Sequence, residues 1–171
     1  MPVDMKELIA EAALKLVRSG AHRRITVKDI VEECHITRQT FYYHFADMLD
    51  LMDWIIRRDM ESMLARCLSE EDSEAAIRAF LKFVLEREPL FRNGANEGYR
   101  EAMGRVLVEN MRRYLGELAD RKGLLIPGVD RRLVLDYHVH GMIGVLTEMG
   151  ERADVDWMAH QLLLMLTAGR S

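Results

Sequence analysis

The stretch from Ile25 to Leu51, ITVKDIVEECHITRQTFYYHFADMLDL, constrains the fold more than any other part of the chain. Thr26 and Asp29 stand in the Ser/Thr-x-x-Asp/Glu spacing of a capping box, in which a hydroxyl and a carboxylate satisfy the free amides that open a helix. Val27, Ile30 and Val31 follow at helical spacing and give that helix one apolar face. Thr37 is a second hydroxyl cap, and the residues between the helices, Cys34-His35-Ile36, form a tight corner. In the second helix Phe41 and Phe45 lie one turn apart and turn toward a core. Arg38, Gln39, Thr40, Tyr42, Tyr43 and His44 are left outside.

That outward set has a chemistry. Arginine and glutamine hydrogen-bond base edges, while tyrosine, threonine and the amides of a helix N-terminus hydrogen-bond phosphate oxygens. A short helix with these groups in its first turns is built like the reading helix of a helix-turn-helix. Arg38, Gln39 and Tyr43 are the expected base-edge contacts, and Thr26, Thr37 and Tyr42 the expected phosphate contacts. Lys28, Thr40 and His44 belong to the same surface. The alternative is an ordinary amphipathic helix with an aromatic exterior, and adjacent outward tyrosines on a doubly capped helix speak against it.

The run TVKDIV, then TRQTFYYHF, then LDL resembles the DNA-binding region of the TetR family of transcriptional regulators over about the first fifty residues. Within the family it is most similar to the branch labelled as dihydroxyacetone kinase regulators. The resemblance implies an all-α fold, with a three-helix head followed by a helical domain for ligand binding and dimerisation. It also implies homodimers whose last two helices build a four-helix bundle. Two positions depart from the family pattern. His35 stands where the family usually has glycine, at a corner needing left-handed backbone, a conformation in which histidine is enriched among other residues. Met48 stands where the family tends to carry a lysine that touches phosphate.

Charge gives the nucleic-acid reading no help. The net charge is −4. The first fifty residues hold Lys6, Lys15, Arg18, Arg23, Arg24, Lys28 and Arg38 against Asp4, Glu7, Glu11, Asp29, Glu32, Glu33, Asp47 and Asp50. What matters is placement, with Arg23, Arg24, Lys28 and Arg38 gathered at the motif. So small a basic patch implies few phosphate contacts per head, and useful affinity then has to come from pairing of heads.

The remaining classes are excluded by what they need. Cys34 and Cys67 are too few for a disulfide framework or a zinc site, and buried thiols are expected. His138 and His140 are two apart on a helix and point to nearly opposite faces, so no metal site is expected. No catalytic constellation, phosphate loop or dinucleotide fingerprint is present, so neither enzyme activity nor a cofactor is expected. No apolar run is long enough to cross a bilayer and no signal core opens the chain, which reads as cytoplasmic.

The rest of the chain alternates helical periodicity with breaks. Helices are expected over residues 4–19, 48–68 after the cap Asp47, 73–88, 97–122, 131–149 after Asp130, and 155–168 after Asp154. Pro89 should end the helix before it, with a separate short turn over 90–96. These give a head over 1–50 and a regulatory and dimerisation domain over 51–171. The last two helices are apolar nearly all round and need a second burial partner, most simply another copy of the chain. Gly141, Gly144, Val145, Met158, Leu162 and Met165 are the expected interface, the glycines allowing close approach. Tyr99, Arg100, Asn110, Tyr137 and His138 are the polar candidates for a small-effector pocket, with a protein coregulator as the other source of control. The competing functional reading is a helical protein-interaction adaptor that reads no DNA sequence.

Overall fold

Helix starts fall where the sequence supplies a hydroxyl or carboxylate to meet free amides. A computed structural model describes residues 4–19, 25–69, 72–92, 97–122, 128–149 and 154–167. These form α1 (Met5–Ser19), α2 (Val27–Cys34), α3 (Arg38–His44), α4 (Met48–Ser69), α5 (Ser73–Arg92), α6 (Glu97–Lys122), α7 (Arg131–Met149) and α8 (Val155–Thr167), with no strand among them. Thr26 and Asp29 make both halves of the capping box. Asp47 accepts the amide of Asp50 at 2.9 Å, Asp130 that of Leu133 at 2.7 Å and Asp154 that of Trp157 at 3.0 Å. Asp72 accepts from Glu74 and Ala75 and opens α5. Each such cap is worth about 1 kcal/mol.

One boundary differs from the sequence expectation. α5 does not stop at Glu88 but runs through Pro89 to Arg92. Proline removes one backbone hydrogen bond and crowds the preceding turn, a cost that a helix can absorb as a bend when its surroundings favour continuation. The expected separate turn over 90–96 is therefore the end of α5 as far as Arg92, and residues 93–96 lie outside the described set.

The chain divides into two compact units that are not contiguous in sequence: Met1–Arg57 with Pro89–Leu107, and Arg58–Glu88 with Val108–Ser171. In the first unit α1, α2 and α3 pack on one another. Phe41 and Phe45 are 0% and 1% exposed, and Ile9, Ala13, Ile30, Leu51 and Ile55 of the same unit are fully buried too. Their ring centroids are 6.0 Å apart, Trp54 meets Phe45 edge-on at 6.0 Å, and the Lys6 ammonium lies 5.3 Å from the Phe45 ring centre. The two inward phenylalanines thus anchor α3 to the head.

In the second unit Phe80 stacks on Tyr114 with centroids 4.9 Å apart and planes 9° from parallel. The Tyr114 hydroxyl donates to the Cys67 thiol at 3.1 Å, and that thiol donates to the Ala76 carbonyl. Burial, then the bond to Cys67, pushes the phenol well above the ordinary tyrosine range. Ion pairs fix two antiparallel neighbours. Arg112 and Asp120 of α6 meet Asp136 and Arg131 of α7. Glu74 and Arg78 of α5 meet His160 and Asp156 of α8. At Gly116 a Cβ would meet the end of the Arg131 guanidinium at 3.0 Å.

Candidate nucleic-acid interface

The corner between α2 and α3 is a left-handed cap. His35 has φ 56° and ψ 40°, the one positive φ at a non-glycine residue among those described. Its amide donates to the Glu32 carbonyl at 3.2 Å, and the Ile36 amide donates to Val31 at 3.0 Å. This is the paired bond pattern that closes a helix C-terminus and turns the chain sharply. Histidine occupies the position with the modest strain that left-handed backbone costs an L-residue. Thr37 then accepts the Thr40 amide at 3.1 Å and starts α3 at once.

On α3, Thr37, Arg38, Gln39, Tyr42 and Tyr43 are exposed, Tyr43 by 84%, while Thr40 and His44 are half-buried. The helix thus divides as its pattern implies, with Phe41 inside and the hydrogen-bonding groups outside. Tyr43 stands edge-on to His44 at 5.0 Å, and Tyr42 edge-on to Phe41 at 5.4 Å, which limits the swing of both phenols. Among the described residues Arg38 enters no ion pair, so its guanidinium is uncommitted. The Thr37 and Thr40 hydroxyls are bonded to each other at 2.9 Å. The Thr26 hydroxyl is committed to Asp29, donating to it at 2.7 Å and accepting its amide. Lys28 is exposed, with Glu32 3.7 Å away. Arg23 and Arg24 lie outside the described residues.

The carboxylates of this unit are largely turned to other work. Asp29 closes the capping box, Asp47 caps α4, and Asp50 accepts the Ala46 amide at 2.9 Å. Glu33 holds Lys15, whose hydrogen bond and charge keep the carboxyl below the usual range. Cys34 is half-buried at the corner, and burial followed by the charge of Glu33 raises its thiol pKa, which disfavours the reactive thiolate.

The other candidate residues are distributed over both units. Tyr99 belongs to the first unit and is half-buried; burial, then the charge of Asp47, pushes its phenol up to about 12. The Arg100 side chain lies outside the described set. In the second unit Asn110 is buried, His138 is half-buried with Nδ1 2.8 Å from the Val134 carbonyl, and Tyr137 is 69% exposed. Gly141 and Gly144 are exposed, with open space where a Cβ would stand, and Val145 and Met165 are exposed too. Met158 is buried within its own chain and Leu162 is half-buried.

Sequence reasoning left Leu133, Trp157 and Leu164 out of these outer faces and assigned Tyr137 to the pocket. Leu133 and Tyr137 continue the line of Gly141 and Val145 on α7, and Trp157 and Leu164 lie beside Met165 on α8, all about half exposed or more. The spacing 133, 137, 141, 145 was the available signal. Among the described residues no group of three or more His, Cys, Asp or Glu gathers to hold a metal, and no helix is long and apolar enough to cross a membrane.

Comparison with known proteins bears on this arrangement. Residues 9–54 match the model of bacterial regulatory proteins, tetR family. The HTH-type dhaKLM operon transcriptional activator DhaS of Lactococcus lactis subsp. lactis (strain IL1403) is 36% identical over 59 residues, a match spanning 34% of this chain and 32% of that protein. In fold, the chain is similar to the dihydroxyacetone kinase operon activator DhaS, with TM-score 0.67 and 17% identity over 96% of this chain and 94% of that one. It is also similar to the TetR family repressor AlkX from Dietzia sp. strain DQ12-45-1b, with TM-score 0.62 and 17% identity over 96% and 94% of the two chains. The segment that matches the tetR-family model contains the capped helix pair and its left-handed corner, and the helices beyond it share the fold of DhaS and AlkX.

Proposed function

We propose that this chain is a transcriptional regulator of the tetR family that binds double-stranded DNA as a homodimer, each chain placing α3 in a major groove. The observation that carries the reading is the outer face of α3, where Arg38, Gln39 and Tyr43 are exposed and Arg38 enters no ion pair among the described residues. Arginine in that state can take guanine O6 and N7 together. Thr37 and Tyr42 flank it as phosphate contacts. Residues 1–50 are then the reading head, and 51–171 the regulatory and dimerisation part of a cytoplasmic protein.

Pairing rests on the outer faces of α7 and α8. Leu133, Tyr137, Gly141, Gly144 and Val145 on the first, and Trp157, Leu164 and Met165 on the second, are exposed in the single chain. Apolar faces of this kind are covered in stable proteins, and a second copy covers the same patch on both chains at once. Kinship with tetR-family regulators favours that occupant over a different protein.

A small effector or a protein coregulator then acts on the helical part. Asn110 and His138 are the polar groups there withdrawn from solvent, while Tyr137, exposed in line with Leu133 and Gly141, fits the pairing face better. Kinship with DhaS makes dihydroxyacetone kinase genes the first regulated DNA to try. The test is a gel shift with DNA from upstream of the chain's own gene and of such genes. A discrete complex with a preferred fragment supports the reading, and equal or absent binding to all fragments contradicts it. A rise in Tm with dihydroxyacetone or small phosphorylated metabolites would identify the effector by mass action.

A further inference from the structure

Glu32 is the carboxylate on α2 whose partner is itself a candidate phosphate contact. Asp29 is taken by the capping box and Glu33 by Lys15, but Glu32 lies 3.7 Å from Lys28, one helical turn away. We propose that Glu32 restrains the phosphate grip of Lys28, so that the head holds DNA backbone weakly and depends on the base-edge contacts of α3. This rests on the DNA-binding reading above.

The pair is made to weaken binding rather than to stabilise the fold. Both side chains are more than 60% exposed, and lysine precedes glutamate, the less favourable order along a helix. Its worth to folding is small. Its effect on an approaching phosphate is not, because the carboxylate stays beside the ammonium whichever partner the ammonium takes. Arg38 is given to base edges, Arg23 and Arg24 lie outside the described residues, and the other described cations of this unit leave little to compensate. Lys15 pairs with Glu33, Arg18 with Glu11 and Arg57 with Asp53, and Lys6 lies over Phe45.

The consequence is functional. Backbone contacts bind every sequence alike and hold a regulator on bulk DNA, whereas base contacts discriminate. A head with muted backbone charge loses affinity everywhere but keeps its ratio between preferred and unselected sites, and it spends less time on the latter.

The experiment is a salt titration of duplex binding by fluorescence anisotropy, using full-length wild type, Glu32→Gln, Lys28→Met and the double variant Lys28→Met/Glu32→Gln. Glu32→Gln should tighten a dimer about fivefold at low salt, alike on preferred and unselected duplexes, because the Lys28 ammonium then meets phosphate without a competing carboxylate beside it. The slope of log K against log salt should steepen by about 1.8, one phosphate per head. Added to Lys28→Met, Glu32→Gln should bring no such gain. If Glu32→Gln matches wild type in affinity and slope, tightens on one sequence alone, or keeps its gain without Lys28, the proposal falls while DNA binding stands. If wild type binds no duplex at any salt, the DNA-binding reading fails and takes this inference with it.

Discussion

The Arg112 guanidinium donates from Nε to the Asp136 carboxylate at 2.6 Å and so ties α6 to α7, with Glu109 held by the same guanidinium. The hydrogen bond, and after it the neighbouring positive charges, keep the Asp136 carboxyl below the usual aspartate range. A group whose folded pKa is depressed adds stability above its unfolded pKa, about 3.9 for aspartate, and loses it as pH falls through the folded value. Asp136→Asn should therefore lower Tm near neutrality, and the two melting curves should converge in acid. Circular dichroism melts across pH test this. A difference in Tm that persists unchanged well below the ordinary aspartate pKa would contradict it.

His35 gives a second test. Its left-handed φ of 56° costs an L-residue about 1 kcal/mol, and glycine carries no such cost. Glycine also loses more freedom on folding, so His35→Gly should stabilise by about 0.5 kcal/mol net. Chemical denaturation would measure it, and a loss of more than about 1 kcal/mol would mean that the imidazole makes a contact the corner depends on.

Much of the head could be read from sequence because its signals are local. Thr26 with Asp29, and Thr37 with Thr40, act across three residues, and the corner at His35 needed only a residue tolerant of αL. Distance in sequence hid the rest. Arg112 and Asp136 are separated by the end of α6 and a whole connector, so no pattern announced their pairing. α5 passed through Pro89 because the preference of the residue before a proline is a local bias that a helix can override with a bend. The grouping of Pro89–Leu107 with the head is likewise a fact of space. α7 and α8 looked apolar on every side, and burial was needed to separate inward Leu135, Val139 and Met158 from outward Leu133, Tyr137 and Trp157.

The buried Tyr114 hydroxyl offers a third test. Tyr114→Phe removes the bond to Cys67 and leaves the thiol its carbonyl partner at Ala76, so the loss should be about 0.5–1.5 kcal/mol. The Phe80 stack should survive. Denaturation midpoints would report it, and an unchanged midpoint would show that the hydroxyl contributes nothing.

On α3, Arg38→Ala should relax sequence preference and cost about 1–3 kcal/mol per half-site, as loss of a bidentate base contact does. Tyr42→Phe should weaken binding to all sequences alike. Anisotropy titrations on preferred and scrambled duplexes separate these outcomes. If both variants bind the preferred site as wild type does, α3 is not the reading helix.

Pairing is the central proposal, since among the described residues of the head Lys15, Arg18 and Lys28 each lie beside a carboxylate. Two heads joined by a twofold face meet the major groove about one helical turn apart, roughly 34–36 Å. Gly144 is exposed on that face with open space around it, so Gly144→Glu adds charge to the face without disturbing the single chain. Sedimentation velocity of wild type and Gly144→Glu, each alone and with a duplex carrying the preferred site, measures pairing directly. Wild type should sediment as a dimer at micromolar concentration and load two chains on each duplex, while Gly144→Glu should sediment as a helical monomer without specific binding. A wild-type monomer at that concentration that still holds its site would contradict the account.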